Sequence, residues 1–206
     1  MQDLSLDGVL KLMRIGHIGL TLVVFAPVVL VLAVVGAVFA GLGLVNLGVW
    51  LLYLVLFQGL GLLFSFIPDF DIYFQKAGVG IHRGETHTVW WGIEWSIAFS
   101  VYPIVGAILS AWMWYGGELE FAQYALDCLV FTPFAFFGVF LGLLSHLLGD
   151  AMTISGIRPF MPYDDTKIAW KWFRSSNLFI NFGFFFLGLL FGGVVWSGVF
   201  QGYGFG

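Results

Sequence analysis

Side chains able to do chemistry are scarce in this chain, and their types and spacing point toward a metal ion. There are four histidines: His17, His82, His87 and His146. In Ser145-His146-Leu147-Leu148-Gly149-Asp150-Ala151-Met152-Thr153, His146 and Asp150 stand four residues apart. On a helix both side chains then emerge on one face. A neutral imidazole and a carboxylate at that spacing can bind one ion, or the aspartate can orient a histidine at a helix end. Asp69 and Asp71 follow Pro68, and His82 and His87 bracket Arg83-Gly84-Glu85-Thr86. Imidazole plus carboxylate is the donor set of zinc, and also of manganese or iron.

Each piece has a plainer reading. His17 alone could be an interfacial residue at a helix start, and Asp69 and Asp71 could cap a turn. One of His82 and His87 could stand behind the other. What favours a shared ion is the cost of ionisable groups near hydrocarbon and their gathering at one membrane depth. The expected ligands are therefore His17, Asp69, Asp71, His82, His87, His146 and Asp150, around one or two divalent transition-metal ions, zinc first. Glu94 lies on the helical face of His87, roughly 10 Å further along the axis, and either it or Glu85 would accept a proton. Arg83, between the loop histidines, would grip a phosphate with two hydrogen bonds, with Arg158 and Lys167 at the rim of the site. Asp127, about 28 Å from His146 along a straight helix, falls outside the group.

Bringing residues so far apart in sequence together requires a frame, and composition says which kind. Of 206 residues, 60% are hydrophobic and 10% charged, against about 25% charged in a soluble domain. Mean hydropathy is +0.97, which excludes an ordinary soluble domain. A formal charge of −4 with eight basic residues offers nucleic acid no basic surface. Cys128 is the single cysteine, so an intramolecular disulfide is excluded.

The fold expected is all-α, a polytopic membrane helical bundle forming one integral domain over residues 1–206. Its five spans fall at about 18–45, 49–67, 88–115, 121–148 and 177–200. Pro68 ends the second span and Pro103 kinks the third. Polar loops cover 68–87 and 149–176. All eight lysines and arginines lie before the first span or in these two loops, while Glu118 and Glu120 mark the opposite side. Positive residues stay in the cytoplasm, so the N-terminus and the histidine end of the bundle are expected there. Trp170, Trp172 and Phe173, interleaved with Lys171 and Arg174, read as an interfacial anchor.

His17, Pro68-Asp69-Phe70-Asp71, His82-Arg83-Gly84-Glu85-Thr86-His87-Thr88, and His146 through Thr153 followed by Gly156 together resemble the YdjM-like family of predicted membrane-bound metal-dependent hydrolases. The resemblance covers roughly residues 17–162, and departs at Ile72, where the family usually has a histidine. It implies a metal-dependent hydrolase in the inner membrane of a prokaryote. A more distant likeness to zinc-dependent phospholipase C suggests phosphoester chemistry.

Together these readings lead to an expected function: metal-assisted hydrolysis of a phosphoester in a lipid or lipid-linked substrate that reaches the site through the bilayer. Two other classes stay open. A structural or assembly subunit would use a closed metal site to staple its loops. A metal or ion transporter would need polar groups running through the membrane rather than stopping at one side.

Overall fold

A computed structural model describes residues 6–78, 84–117 and 121–204. Six helices follow one another: α1 (Leu6–Gly41), α2 (Leu47–Phe64), α3 (Asp71–Lys76), α4 (Val89–Tyr115), α5 (Phe121–Ala151) and α6 (Leu178–Gly202). Short 3₁₀ turns occupy Ile67–Phe70 and Glu85–His87. Among the described residues there is no β-strand, only isolated bridges between Thr153 and Phe173 and between Ile157 and Ile168. Five stretches are long and apolar enough to cross a membrane: Arg14–Gly41, Leu47–Tyr73, Val89–Tyr115, Phe121–Ala151 and Leu178–Gly202. The chain is an all-helical integral membrane protein.

The local sequence explains these elements. In hydrocarbon every backbone N–H and C=O must be satisfied within its own segment, so even the valine-rich stretch of α1 is helical despite its β-branched residues. Asn46 caps α2 by accepting from the N–H groups of Gly48 and Val49, Thr88 caps α4 through Trp91, and Asn177 caps α6 through Ile180.

Several boundaries differ from the sequence-based expectation. α1 reaches back to Leu6, well before the expected start of the first span at residue 18. Pro68 does not stop the chain: it sits in the first turn of the 3₁₀ segment, where a missing N–H costs nothing, and the backbone continues into α3. Asp69 and Asp71 therefore stand on consecutive helical turns rather than in a loop. α4, by contrast, runs through Pro103 to Tyr115, as expected for the third span. α5 runs to Ala151, which keeps both His146 and Asp150 helical.

α1 and α5 form the centre of the bundle. α5 packs against α4, α2 and α1, while α1 packs against α6 and α2. Lipid tails are as apolar as leucine, so association rests on close packing and interhelical hydrogen bonds. Glycines permit the closeness: a Cβ on Gly142 of α5 would lie 2.7 Å from the Cα of Gly61 in α2, and one on Gly188 of α6 would lie 2.9 Å from that of Gly19 in α1. Phe25, Val29, Trp50, Leu54, Phe57 and Phe134 fill the middle of the bundle. Trp50 Nε1 donates to Leu32 O (2.9 Å) and Trp196 Nε1 to Gln58 Oε1 (2.6 Å).

The segment after α5 folds back over the end of the bundle. Trp170 N donates to Ala151 O (2.7 Å), Trp172 N to Met152 O (3.0 Å) and Ile154 N to Phe173 O (2.9 Å). Its middle reaches α4, where Val89 N donates to Pro159 O (2.8 Å). The Trp170 and Trp172 side chains are exposed and lie against each other, ring centroids 5.2 Å apart.

Candidate metal centre

Four parts of the chain deliver titratable side chains to one end of the bundle. α1 contributes His17, the 3₁₀ turn after α2 contributes Asp69, the turn before α4 contributes His87, and the last turns of α5 contribute His146 and Asp150. Asp69, His87, His146 and Asp150 are 0% exposed, and His17 is 7% exposed. Burying so many ionisable groups without compensation would cost several kcal/mol each.

Their facing atoms form a tight set. His146 Nε2 lies 3.9 Å from Asp69 Oδ1 and 3.6 Å from Asp150 Oδ2. His87 Nε2 lies 3.8 Å from Asp69 Oδ1 and 3.5 Å from Asp150 Oδ2. His17 Nε2 is 3.8 Å from Asp150 Oδ1. These separations are too long for hydrogen bonds. They are close to the roughly 3.3 Å expected between donors that share one tetrahedral ion at zinc–nitrogen distances. Among the described residues, both carboxylate oxygens of Asp69 and the Nε2 of His146 are buried with no hydrogen-bond partner. Donor type, spacing and these orphaned atoms fit a divalent metal ion. Two overlapping triplets, His17–Asp69–His146 and His87–His146–Asp150, could each hold one.

The surroundings aim the rings. His146 Nδ1 is 2.7 Å from the carbonyl oxygen of Ser65. A carbonyl only accepts, so Nδ1 carries the proton and the Nε2 lone pair faces the cluster. On the far side of His87, Nδ1 lies 2.9 Å from Thr86 Oγ1 and 3.3 Å from Asp71 Oδ2, and Thr86 Oγ1 donates to Asp71 (2.9 Å). Burial alone would push the His87 imidazole down; the carboxylates of Asp69, Asp71 and Asp150 outweigh it and hold the group up at about 9.

α1 and α5 meet closely here. The rings of His17 and His146 stack with centroids 4.1 Å apart. A Cβ on Gly149 would stand 2.8 Å from His17 Nδ1, so this position on α5 admits His17 only as glycine. One turn deeper, Thr21 Oγ1 and Ser145 Oγ share a 2.6 Å hydrogen bond that ties the two helices together. Beside the cluster lies a cavity of about 20 Å³, bordered by His17, Asp150, Thr153, Ser175 and Asn181. That is room for a single water molecule.

Of the residues singled out from sequence, the structure brings His17, Asp69, His87, His146 and Asp150 together. Asp71 stands behind His87, on the ring nitrogen turned away from the other donors. Glu85 and Glu94 are exposed, as are Arg158 and Lys167. His82 and Arg83 lie outside the described residues. Asp127 is in the first turns of α5, remote from His146, where it accepts from Gln123 Nε2 (3.0 Å). Sequence reasoning passed over Ser65, Gly149 and the Thr21–Ser145 bond. Ser65 acts through its backbone and Gly149 through an absent side chain, and neither leaves a chemical signal. Thr86 was visible within the histidine motif, next to His87.

A family model described as YdjM inner membrane protein matches residues 13–203. No curated protein and no solved structure matches the chain.

Proposed function

The chain belongs to the YdjM inner membrane protein family, and we propose that it hydrolyses a phosphoester of a lipid or lipid-linked substrate, using a divalent metal ion at the cytoplasmic headgroup level. His17, Asp69, His87, His146 and Asp150 would supply the donors, any three of which leave a tetrahedral ion one position for water. An imidazole nitrogen has one lone pair, and the Nδ1 of His146 is occupied by Ser65. The two donor triplets share His146, whose one free nitrogen serves one ion at a time. Zinc is the favoured metal, and manganese or iron would accept the same donors. When bound, the ion lowers the pKa of a water and polarises the phosphoryl oxygen.

The chain's own residues do the rest. Asp71, through Thr86, fixes the orientation of His87 and keeps its Nε2 toward the ion. Glu85, two residues before His87, takes the water proton; Glu94 lies further along α4. Arg83, Arg158 and Lys167 supply positive charge at the rim for the phosphate. The cytoplasmic placement rests on the eight basic residues gathered at this end.

One observation carries this reading over a closed structural staple: the water-sized cavity bordered by His17 and Asp150. Catalytic metal sites keep a position for water or substrate, and structural sites do not. Against a transporter stands the lack of any charged residue from Ile15 to Val45 and throughout α6; away from the site the spans carry charge only at Glu94 and Asp127.

The test is elemental analysis of detergent-purified protein, with the double variant His146→Ala, Asp150→Ala of confirmed helicity as the comparison. The expected outcome is a bound transition metal in wild type, its loss in the variant, and metal-dependent release of product from a phospholipid or polyprenyl-phosphate panel. No metal in well-folded wild type, even after reconstitution, overturns the proposal. Metal without exchangeable water moves the assignment to a structural role.

A further inference from the structure

Arg14 occupies a position that the metal site does not account for. It lies one helical turn before His17 on α1, so the two side chains are neighbours about 5–6 Å apart at Cβ. Its guanidinium carbon sits 4.7 Å from the ring centroid of Phe70 and 5.7 Å from that of Tyr73. Phe70 is the residue between Asp69 and Asp71. The cation is thus seated against the turn that carries Asp69.

The guanidinium nitrogens Nε and Nη2 are buried and have no hydrogen-bond partner among the described residues. Stacking on aromatic faces uses the flat of the guanidinium and leaves its N–H groups unsatisfied. Nε and Nη2 form one edge of the group, and their two N–H bonds run parallel. That edge matches two oxygens of a single oxyanion. Two buried N–H groups left unsatisfied on a half-buried cation are costly unless an anion completes them. Its nearest chemistry is the metal centre one turn away.

We infer that Arg14 is the oxyanion-binding residue of the site: its Nε–Nη2 edge grips two non-bridging oxygens of a phosphoryl group. This assignment rests on the phosphoester reading above and sharpens it. The recognised group is a tetrahedral phosphate oxyanion, whether free phosphate or the phosphoryl group of a lipid. Phe70, in the turn after α2, and Tyr73, in α3, hold the guanidinium in place, so the oxyanion site shares α1 and the Asp69 turn with the ion site.

The experiment uses the full chain in neutral detergent, loaded with metal, and reads affinity for inorganic phosphate and for short-chain phosphatidic acid by calorimetric titration. Wild type is compared with Arg14→Gln and Arg14→Lys, with metal content measured for each. Phosphate affinity is expected to drop about tenfold or more in Arg14→Gln at unchanged metal content, because two charge-assisted hydrogen bonds are lost. Arg14→Lys keeps the charge but not the fork, and is expected to fall between the two. Weaker binding of both ligands assigns Arg14 to the phosphoryl group of a lipid as well as to free phosphate; weaker binding of phosphate alone restricts it to the free anion. Equal phosphate affinity in wild type and Arg14→Lys, with metal retained, overturns the inference. A role confined to pinning α1 against Phe70 would lower the melting temperature of the variants while leaving phosphate affinity intact, and that result also overturns it. Absence of metal from wild type is a different failure, which removes the hydrolase reading itself. Should Arg14→Gln not fold, Arg14→Lys decides alone.

Discussion

The Nδ1 of His146 lies 2.7 Å from the main-chain carbonyl of Ser65, so a ring on α5 is aimed by the backbone at the end of α2. The Ser65 hydroxyl is spent elsewhere, donating to Leu62 O (2.7 Å). Ser65→Ala therefore leaves metal content unchanged, with a stability loss of about 1 kcal/mol or less. Metal analysis and thermal melting of this variant check it, and loss of the ion would show that the hydroxyl, not the carbonyl, matters.

Gly149→Ala tests the closeness of α1 and α5. The added methyl would stand 2.8 Å from His17 Nδ1, tighter than ordinary contact, so the His17 ring must move. Metal affinity is expected to fall at least tenfold, on the scale of disturbing a ligand's support, while far-ultraviolet circular dichroism stays at the wild-type value. Competition with a chromogenic chelator gives the affinity directly.

Asp69 and Asp71 lie two residues apart yet should behave differently. Asp69→Asn removes a buried carboxylate whose oxygens have no other partner, and bound metal should disappear. Asp71→Asn disturbs only the support of His87, which weakens metal binding by about 10–100-fold. Equal losses in the two variants would place both carboxylates on the ion.

The proton on His87 competes with metal. Its folded pKa is held up at about 9, above the ordinary value of about 6.5. Apparent metal affinity should therefore rise as pH climbs toward 9 and fall on acidification, with proton release on binding. Without metal the linkage runs the other way. The raised pKa stabilises the protein fully below about pH 6.5, and that contribution is lost as pH rises through 9. Melting temperatures of chelator-treated protein across this range should decline, and a rise would contradict the assigned environment of His87.

How legible the site was in the sequence depends on how each group acts. Histidines and aspartates in a chain that is 10% charged stand out, because an apolar background gives them nothing else to do. The five apolar stretches and the all-helical fold follow from the same contrast. Direction was harder. Asp69 and Asp71 carry identical chemistry, and only the 3₁₀ turn across Pro68 decides that one faces the cluster and the other the back of His87. Pro68 itself read as a stop, since a proline ends a helix it interrupts but suits one it begins. Glu94 shared a helical face with His87 by counting, yet His87 sits in a separate turn before α4, and Glu94 is exposed. Arg14 looked like a topology signal because a basic residue before a first span usually is one. Its two buried guanidinium nitrogens separate it from Arg158, Lys167, Lys171 and Arg174, which are exposed.

The segment linking α5 to α6 carries a further consequence. It is bonded at one point to the end of α5, through Trp170, and at another to the start of α4, through Pro159. The turn that carries His87 leads directly into α4 at Thr88. A displacement of this segment would therefore act on two side chains of the buried cluster at once, His87 by way of α4 and Asp150 by way of α5.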